Sequence, residues 1–127
     1  MIKDFLILNC IGKNNKIGVC VEKKFYIHEL DNQINKNDQL VSNILNLVKK
    51  YKVNLNNKFS IIVNIGPGSF SSIRASISVA KGMKISKNIN LYAFKNTELK
   101  QFDLINIELL ISKGRIQNKL IKPIYLS

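Results

Sequence analysis

The chain has 127 residues, and among them are no tryptophan, one histidine, two cysteines and two prolines. A single histidine, His28, is too few for a histidine-rich metal centre. The segment His28-Glu29-Leu30-Asp31-Asn32 lacks the second histidine that a helical zinc-protease motif requires. We therefore predict no metal site and interpret His28 as a surface residue on an edge strand.

Long apolar runs are also absent from the sequence. The first one, Phe5 to Leu8, follows Asp4 and ends at Asn9, so it is far shorter than the roughly 18 residues that span a bilayer. It also lacks the basic start of a signal peptide. We expect a buried first strand in a cytoplasmic protein without membrane association, in which Cys10 and Cys20 are reduced.

Acidic residues are scarce, with eight against 20 lysines and arginines, which gives a net charge of +12. A basic surface attracts nucleic-acid phosphates. Residues 1–64 carry +5 and residues 65–127 carry +7, so the charge is spread evenly, and only two of the basic residues are arginines. We expect general electrostatic attraction rather than a dedicated RNA-reading surface, although the 17 asparagines show that an AT-rich genome would explain the lysines equally well.

The pattern of apolar residues, which form 46% of the chain, predicts one small α/β domain. Three strands in a meander precede a helix, a strand, a second helix and a fifth strand, an order typical of a ribonuclease H-like half. The predicted strands are 3–11, 17–21, 25–28, 59–65 and 91–94, and the predicted helices are 39–52, 71–87 and a short one ending near residue 102. We further predict a strand at 104–112 with a hairpin partner at 116–121.

A glycine-rich turn separates the apolar strand 59–65 from the second helix. Its glycines permit a sharp turn, Pro67 fixes one backbone angle, and its serines can cap the first helical turn. Such a turn can hold an anion at the helix N-terminus or simply orient the helix. The residues of this turn are Gly66, Pro67, Gly68, Ser69, Phe70, Ser71 and Ser72.

The helix at 71–87 has two separate apolar faces. At 100° per residue, Ile73, Ile77 and Ala80 lie on one face, and Ala75, Val79, Gly82 and Met83 lie on the other. A helix on a sheet needs only one apolar face. The second face is therefore covered by the helix at 39–52, by a partner protein, or by both.

The Gly-Pro-Gly-Ser-Phe turn, with the following Ile73-Arg74 and the Ala80-Lys81-Gly82 of the helix, resembles the TsaB (YeaZ-type) family. The family pattern has Thr in place of Ser71 and Gly in place of Ser72. The resemblance implies one lobe of the actin-like ATPase fold, which includes the ribonuclease H-like half. On this basis we predict an N-terminal lobe at 1–95 and, at 96–127, a short helix plus hairpin as the remnant of a truncated second lobe.

The resemblance also implies a non-catalytic accessory subunit. Its partner would be a TsaD-type paralogue that attaches a threonylcarbamoyl group to the adenosine next to the tRNA anticodon. A TsaE-type ATPase, a homodimer and indirect contact with tRNA are further possibilities. We predict that two helices form the partner surface, with the residues Leu40, Ile44, Leu47, Ile73, Arg74, Ile77, Ala80, Lys81 and Lys84.

Catalytic residues are missing from the places where this fold needs them. The family carries Asp-Thr after the first strand, where this chain has Asn9-Cys10, and Asn9 cannot act as a base or a strong Mg²⁺ ligand. The glycine turn lacks the Gly-Lys-Ser/Thr of a Walker A loop. We predict a pseudoenzyme without cofactor, and the alternatives are a small anion- or nucleotide-binding enzyme using the Gly66–Ser72 turn and a basic RNA-binding module.

Overall fold

The computed structural model describes residues 2–12, 14–30, 37–114, 116 and 121–124. The strands are β1 (Asp4–Asn9), β2 (Lys16–Val21), β3 (Lys24–Glu29), β4 (Phe59–Asn64) and β5 (Asn90–Phe94). The helices are α1 (Asn37–Lys50), α2 (Phe70–Lys87) and α3 (Leu104–Ser112), with a 3-10 turn at Asn96–Glu98.

The five strands form one mixed sheet in the order β3-β2-β1-β4-β5. β1, β2 and β3 pair antiparallel, whereas β1, β4 and β5 are parallel, with Leu6 opposite Ile61 and Ile61 opposite Leu91. The carboxyl ends of three parallel strands therefore meet at one edge. This confirms the predicted mixed five-stranded sheet flanked by helices.

Local sequence explains how the antiparallel strands are connected. Glu22 and Lys23 have φ angles of 51° and 69°, so a two-residue turn joins β2 to β3. Two consecutive positive φ angles suit the right-handed twist of the strands. The resulting hairpin brings Tyr26 of β3 over the end of α1, where its ring stacks on Tyr51.

Alternate residues of the strands face two separate cores. On the first face Leu6, Ile61 and Leu91 pack against α1 and α2. On the second face Ile7 and Ile62 pack against α3. Every residue of β4 is buried, as expected for a central strand that is covered on both faces.

The predicted strand at 104–112 is wrong, because this segment is the helix α3. The Asp103 carboxylate accepts a hydrogen bond of 2.8 Å from the Asn106 backbone N–H and caps the helix. Ile107 and Leu110 then face the sheet. The predicted hairpin partner at 116–121 lies mostly outside the described residues, and the division at residue 95 stays a prediction.

Candidate functional site

The glycine turn lies at the carboxyl edge of the parallel strands and contacts the segment 121–124. Gly66 has a φ of +103°, and a Cβ atom there would overlap the carbonyl oxygen of Ile124. The Ile124 N–H donates to the Ile65 carbonyl at 2.7 Å, and Ile121 is buried in the first core. The Gly66–Pro67 peptide is cis. Only glycine at position 66 therefore lets the segment 121–124 pack against the turn.

The loop after β1 packs against the same turn from the other side. The Ser69 N–H donates to the Ile11 carbonyl at 2.8 Å. Gly12 has a φ of +111°, and a Cβ atom there would lie 2.5 Å from the Cβ of Ser69. A Cβ atom on Gly68 would lie 2.7 Å from the Ile11 carbonyl oxygen. Glycines on both sides thus allow two backbones to approach closely.

Three asparagines at the ends of the parallel strands form an amide cluster, here defined as Asn9, Asn64 and Asn96. The buried Asn64 side chain donates from Nδ2 to Oδ1 of Asn9 at 2.7 Å and to Oδ1 of Asn96 at 3.2 Å. Its own Oδ1 accepts the Gly66 N–H at 2.9 Å. The cluster therefore connects all three strands to the glycine turn.

Sequence reasoning singled out Asn9 but missed Asn64 and Asn96. Asn64 ends β4 and Asn96 follows β5, so each comes at the carboxyl end of a parallel strand. That shared position is the pattern that could have identified them. Amides carry no charge and accept no proton near neutral pH, so the cluster supplies hydrogen bonds and no general base.

The Cys10 thiol near the turn is not activated as a nucleophile. Burial raises the pKa of the Cys10 thiol to about 11, partly offset by a hydrogen bond with Ser76. A buried thiol with a raised pKa is a poor nucleophile. Within the described ranges, no group of three or more His, Cys, Asp or Glu side chains could hold a metal ion.

The predicted serine caps are only partly as expected. Ser69 is the residue before α2, as a cap must be, but its side chain makes no capping hydrogen bond. Ser71 is exposed and Ser72 is half-buried, and the Ser72 backbone carbonyl accepts a hydrogen bond from the Ser76 hydroxyl. Phe70 begins α2, and its side chain lies outside the described part of the chain.

A second feature is an open groove between α1 and α2, which we call the helix groove. It has a volume of about 310 Å³. Val41 and Leu45 of α1 are 39% and 56% exposed, and Val79 and Met83 of α2 are half-buried beside them. The lining residues are mostly apolar: Val41, Ile44, Leu45, Leu55, Val79, Gly82, Met83, Ser86 and Lys87.

The residues predicted for the partner surface differ in their exposure. The six apolar residues predicted for it are at most 6% exposed, because α1 and α2 turn these side chains toward the sheet; they are Leu40, Ile44, Leu47, Ile73, Ile77 and Ala80. They belong to the chain's own core, and Ile44 also lines the helix groove. Arg74, Lys81 and Lys84 are exposed, so their role remains a prediction.

Two solved structures of Pseudomonas aeruginosa proteins are similar to this chain. One is an uncharacterized protein with similarity to peptidase YeaZ, at 18% identity and a TM-score of 0.67, covering 76% of this chain and 44% of that one. The other is YeaZ, at 17% identity and a TM-score of 0.66, covering 88% of this chain and 50% of that one. The chain has the fold of YeaZ. This confirms the predicted ribonuclease H-like, actin-like architecture.

The chain spans about half the length of these structures or less. No family model matches it, and no curated protein does. Of the helices in the described ranges, none has both the length and the apolar character that crossing a bilayer demands.

Proposed function

We propose that the chain is a TsaB-type accessory subunit in the cytoplasm that binds and supports a TsaD-type threonylcarbamoyltransferase in tRNA modification. The observation that carries the proposal is the helix groove. α1 and α2 leave apolar side chains exposed along a shared concave surface, and Ile85 of α2 is exposed outside this groove. An exposed apolar groove between two helices suits a helical partner.

The chemistry of the carboxyl edge supports a non-catalytic role. In a phosphate-transferring enzyme of this fold, a carboxylate after β1 would hold a metal ion or orient water. Here Asn9 occupies that place, and its Oδ1 accepts a hydrogen bond from Asn64. The amide cluster orients the glycine turn and the start of α2, and it supplies no charge for catalysis.

The helix groove also specifies how the partner would bind. Exposed Lys81 and Lys84 follow the groove residue Val79 along α2, and Lys87 lines the groove itself. A partner helix with an apolar stripe and acidic flanking residues would match this surface in shape and charge. A TsaD-type paralogue would present such a helix from its own equivalent lobe, and a TsaE-type ATPase would join the larger assembly.

The test is co-expression of this chain with the TsaD-type protein of the same genome. We expect a 1:1 complex on size-exclusion chromatography with light scattering. We also expect that threonylcarbamoyl transfer to an ANN-decoding tRNA by the reconstituted system falls at least tenfold when this chain is omitted. A homodimer that excludes the paralogue, or modification that is independent of this chain, would contradict the proposal.

A further inference from the structure

A second surface, separate from the helix groove, combines aromatic rings with positive charge. It lies where the β2–β3 hairpin meets the end of α1. Tyr26 of β3 stacks on Tyr51, with ring centroids 3.9 Å apart and an angle of 15° between the ring planes. Both tyrosines are half-buried. We call this surface, with the lysines around it, the tyrosine patch.

Lysines surround the stacked rings. Lys24 and Lys52 line a concavity of about 270 Å³ together with the two tyrosines, Val21 and Glu22. The Lys50 ammonium lies 5.4 Å from the centre of the Tyr51 ring, within the range of a cation–π contact. All three lysine side chains are exposed.

Neighbouring residues add charge of the same sign. Lys23 is next to Lys24 in the hairpin turn, and Lys49 precedes Lys50 in the last turn of α1. Both are exposed, and among the residues that the structure describes, Glu22 is the acidic side chain that lines the concavity. Lys49 and Lys50 also complement the dipole of α1, but that role requires neither Lys24 nor Lys52.

The composition of the tyrosine patch defines its ligand. Lysines bind phosphates through charge, and tyrosine rings stack on unpaired bases. The concavity is slightly smaller than the roughly 300–1,000 Å³ of sites for complete small molecules, so it suits one flat ring of a longer ligand. Folded RNA displays unpaired bases in loops, whereas duplex DNA keeps its bases stacked inside.

We propose that the tyrosine patch binds an unpaired segment of RNA, with its backbone along Lys24, Lys50 and Lys52 and a base against the tyrosines. This differs from the even electrostatic attraction expected from sequence, because it localises the binding to one corner of the fold. It does not depend on the accessory-subunit role, since the isolated chain would bind the RNA.

The experiment measures fluorescence anisotropy of a labelled single-stranded U-rich 12-mer RNA with the isolated chain. We expect the affinity to fall with salt at a log–log slope of about −2 to −3.5, from three to five phosphate contacts at about −0.7 each. The double variant Lys24→Glu/Lys52→Glu should lose about tenfold or more in affinity at low salt.

The matched control is Lys100→Glu/Lys113→Glu, which changes the net charge equally at exposed positions flanking α3, on the opposite face of the sheet. We expect it to lose less than about threefold. Tyr26→Leu, which keeps the apolar bulk, should lose about fivefold or more for RNA and nothing for inorganic polyphosphate.

Three results would overturn the proposal. Equal losses in the two charge variants would mean general electrostatics. If Tyr26→Leu bound RNA as tightly as the wild type does, and polyphosphate as well, the rings would have no role in binding. Stronger patch-dependent binding to phosphatidylserine vesicles than to RNA would assign the surface to a membrane. Circular-dichroism melting checks that each variant is folded.

Discussion

The two faces of the sheet are covered in different ways. Two helices, α1 and α2, pack on the first face and enclose the larger core, which also includes Ile121 from the end of the described chain. The second face is covered by α3, with Ile107 and Leu110 at its centre, and by Leu99 and Phe102 from the segment before it. Both layers leave apolar side chains exposed, but their exposed residues are arranged differently.

In the first layer the exposed Val41 and Leu45 line the helix groove, although Ile85 is exposed outside it. In the second layer Ile105 and Leu109 lie along the outside of a single helix. A concave surface between two helices can enclose a partner's side chains, and a convex stripe on one helix cannot. Exposure alone therefore does not identify the docking surface, and shape separates the two layers.

The largest expected effect on stability comes from comparing a buried residue of the first layer with an exposed residue of the second. Ile73 of α2 is fully buried, and Ile105 of α3 is 72% exposed. Ile73→Asp should lower the free energy of unfolding by more than about 4 kcal/mol, because it removes core contacts and buries a carboxylate. Ile105→Asp should change it by less than about 0.5 kcal/mol.

Urea denaturation followed by circular dichroism measures both values. A folded Ile73→Asp protein with near-normal stability would contradict the placement of this residue in the core. Such a result would support the prediction from the sequence that Ile73 is a surface residue that contacts the partner.

A smaller effect is expected at the glycine turn that joins the first layer to the sheet edge. Gly66→Ala should cost about 2–4 kcal/mol, because φ is positive and the new Cβ atom would overlap the Ile124 carbonyl. Gly114 also has a positive φ, of +65°, but no atom lies within 4 Å of a Cβ atom there, so Gly114→Ala should cost about 1 kcal/mol. Thermal melting would reveal the ranking, and equal costs would contradict the close packing at Gly66.

Each layer also contains one free cysteine. The thiol of Cys10, in the first layer, predicts that the stability of the fold depends on pH. Its pKa rises to about 11 in the folded chain from an ordinary 9.0. The unfolded chain releases this proton earlier, so stability is fully present below about pH 9 and falls as the pH rises toward 11. At pH 10.5 the loss should be about 2 kcal/mol.

The measurement compares urea denaturation at pH 8 and pH 10.5 for the wild type and Cys10→Ala. The titration of lysines and tyrosines is common to both proteins, so the difference in pH dependence isolates the thiol. In the second layer, burial and the charges of Asp4 and Glu108 raise the pKa of Cys20 as well. An identical pH dependence in the wild type and Cys10→Ala would contradict the burial of the Cys10 thiol.

Much of the fold was predictable because apolar periodicity reflects burial. The central strand at 59–65 and the helix at 71–87 were correctly predicted, since one is continuously apolar and the other follows a glycine turn. The segment Leu104–Ser112 was misassigned because nine mostly apolar residues rich in isoleucine fit either a buried strand or a helix. The cap at Asp103 was the available evidence for a helix.

The site was less predictable than the fold. A helical wheel correctly gave α2 two apolar faces, but it could not tell which one meets the sheet. Ile73 and Ile77 are buried, and Val79 and Met83 line the helix groove. The amide cluster depends on three strand ends meeting in space, which requires the strand order. The stacking of Tyr26 on Tyr51 likewise joins residues 25 positions apart.

The central claim is that the helix groove binds the TsaD-type partner, and one pair of variants tests it most directly. Leu45→Asp places a charge in the groove at a position 56% exposed, and Ile105→Asp places the same charge on the other layer. Both should fold, and each is co-expressed with the partner and analysed by size-exclusion chromatography. The account predicts that Leu45→Asp weakens the complex at least tenfold while Ile105→Asp leaves it intact. Retention of the complex by Leu45→Asp, or its loss in Ile105→Asp, would contradict the account.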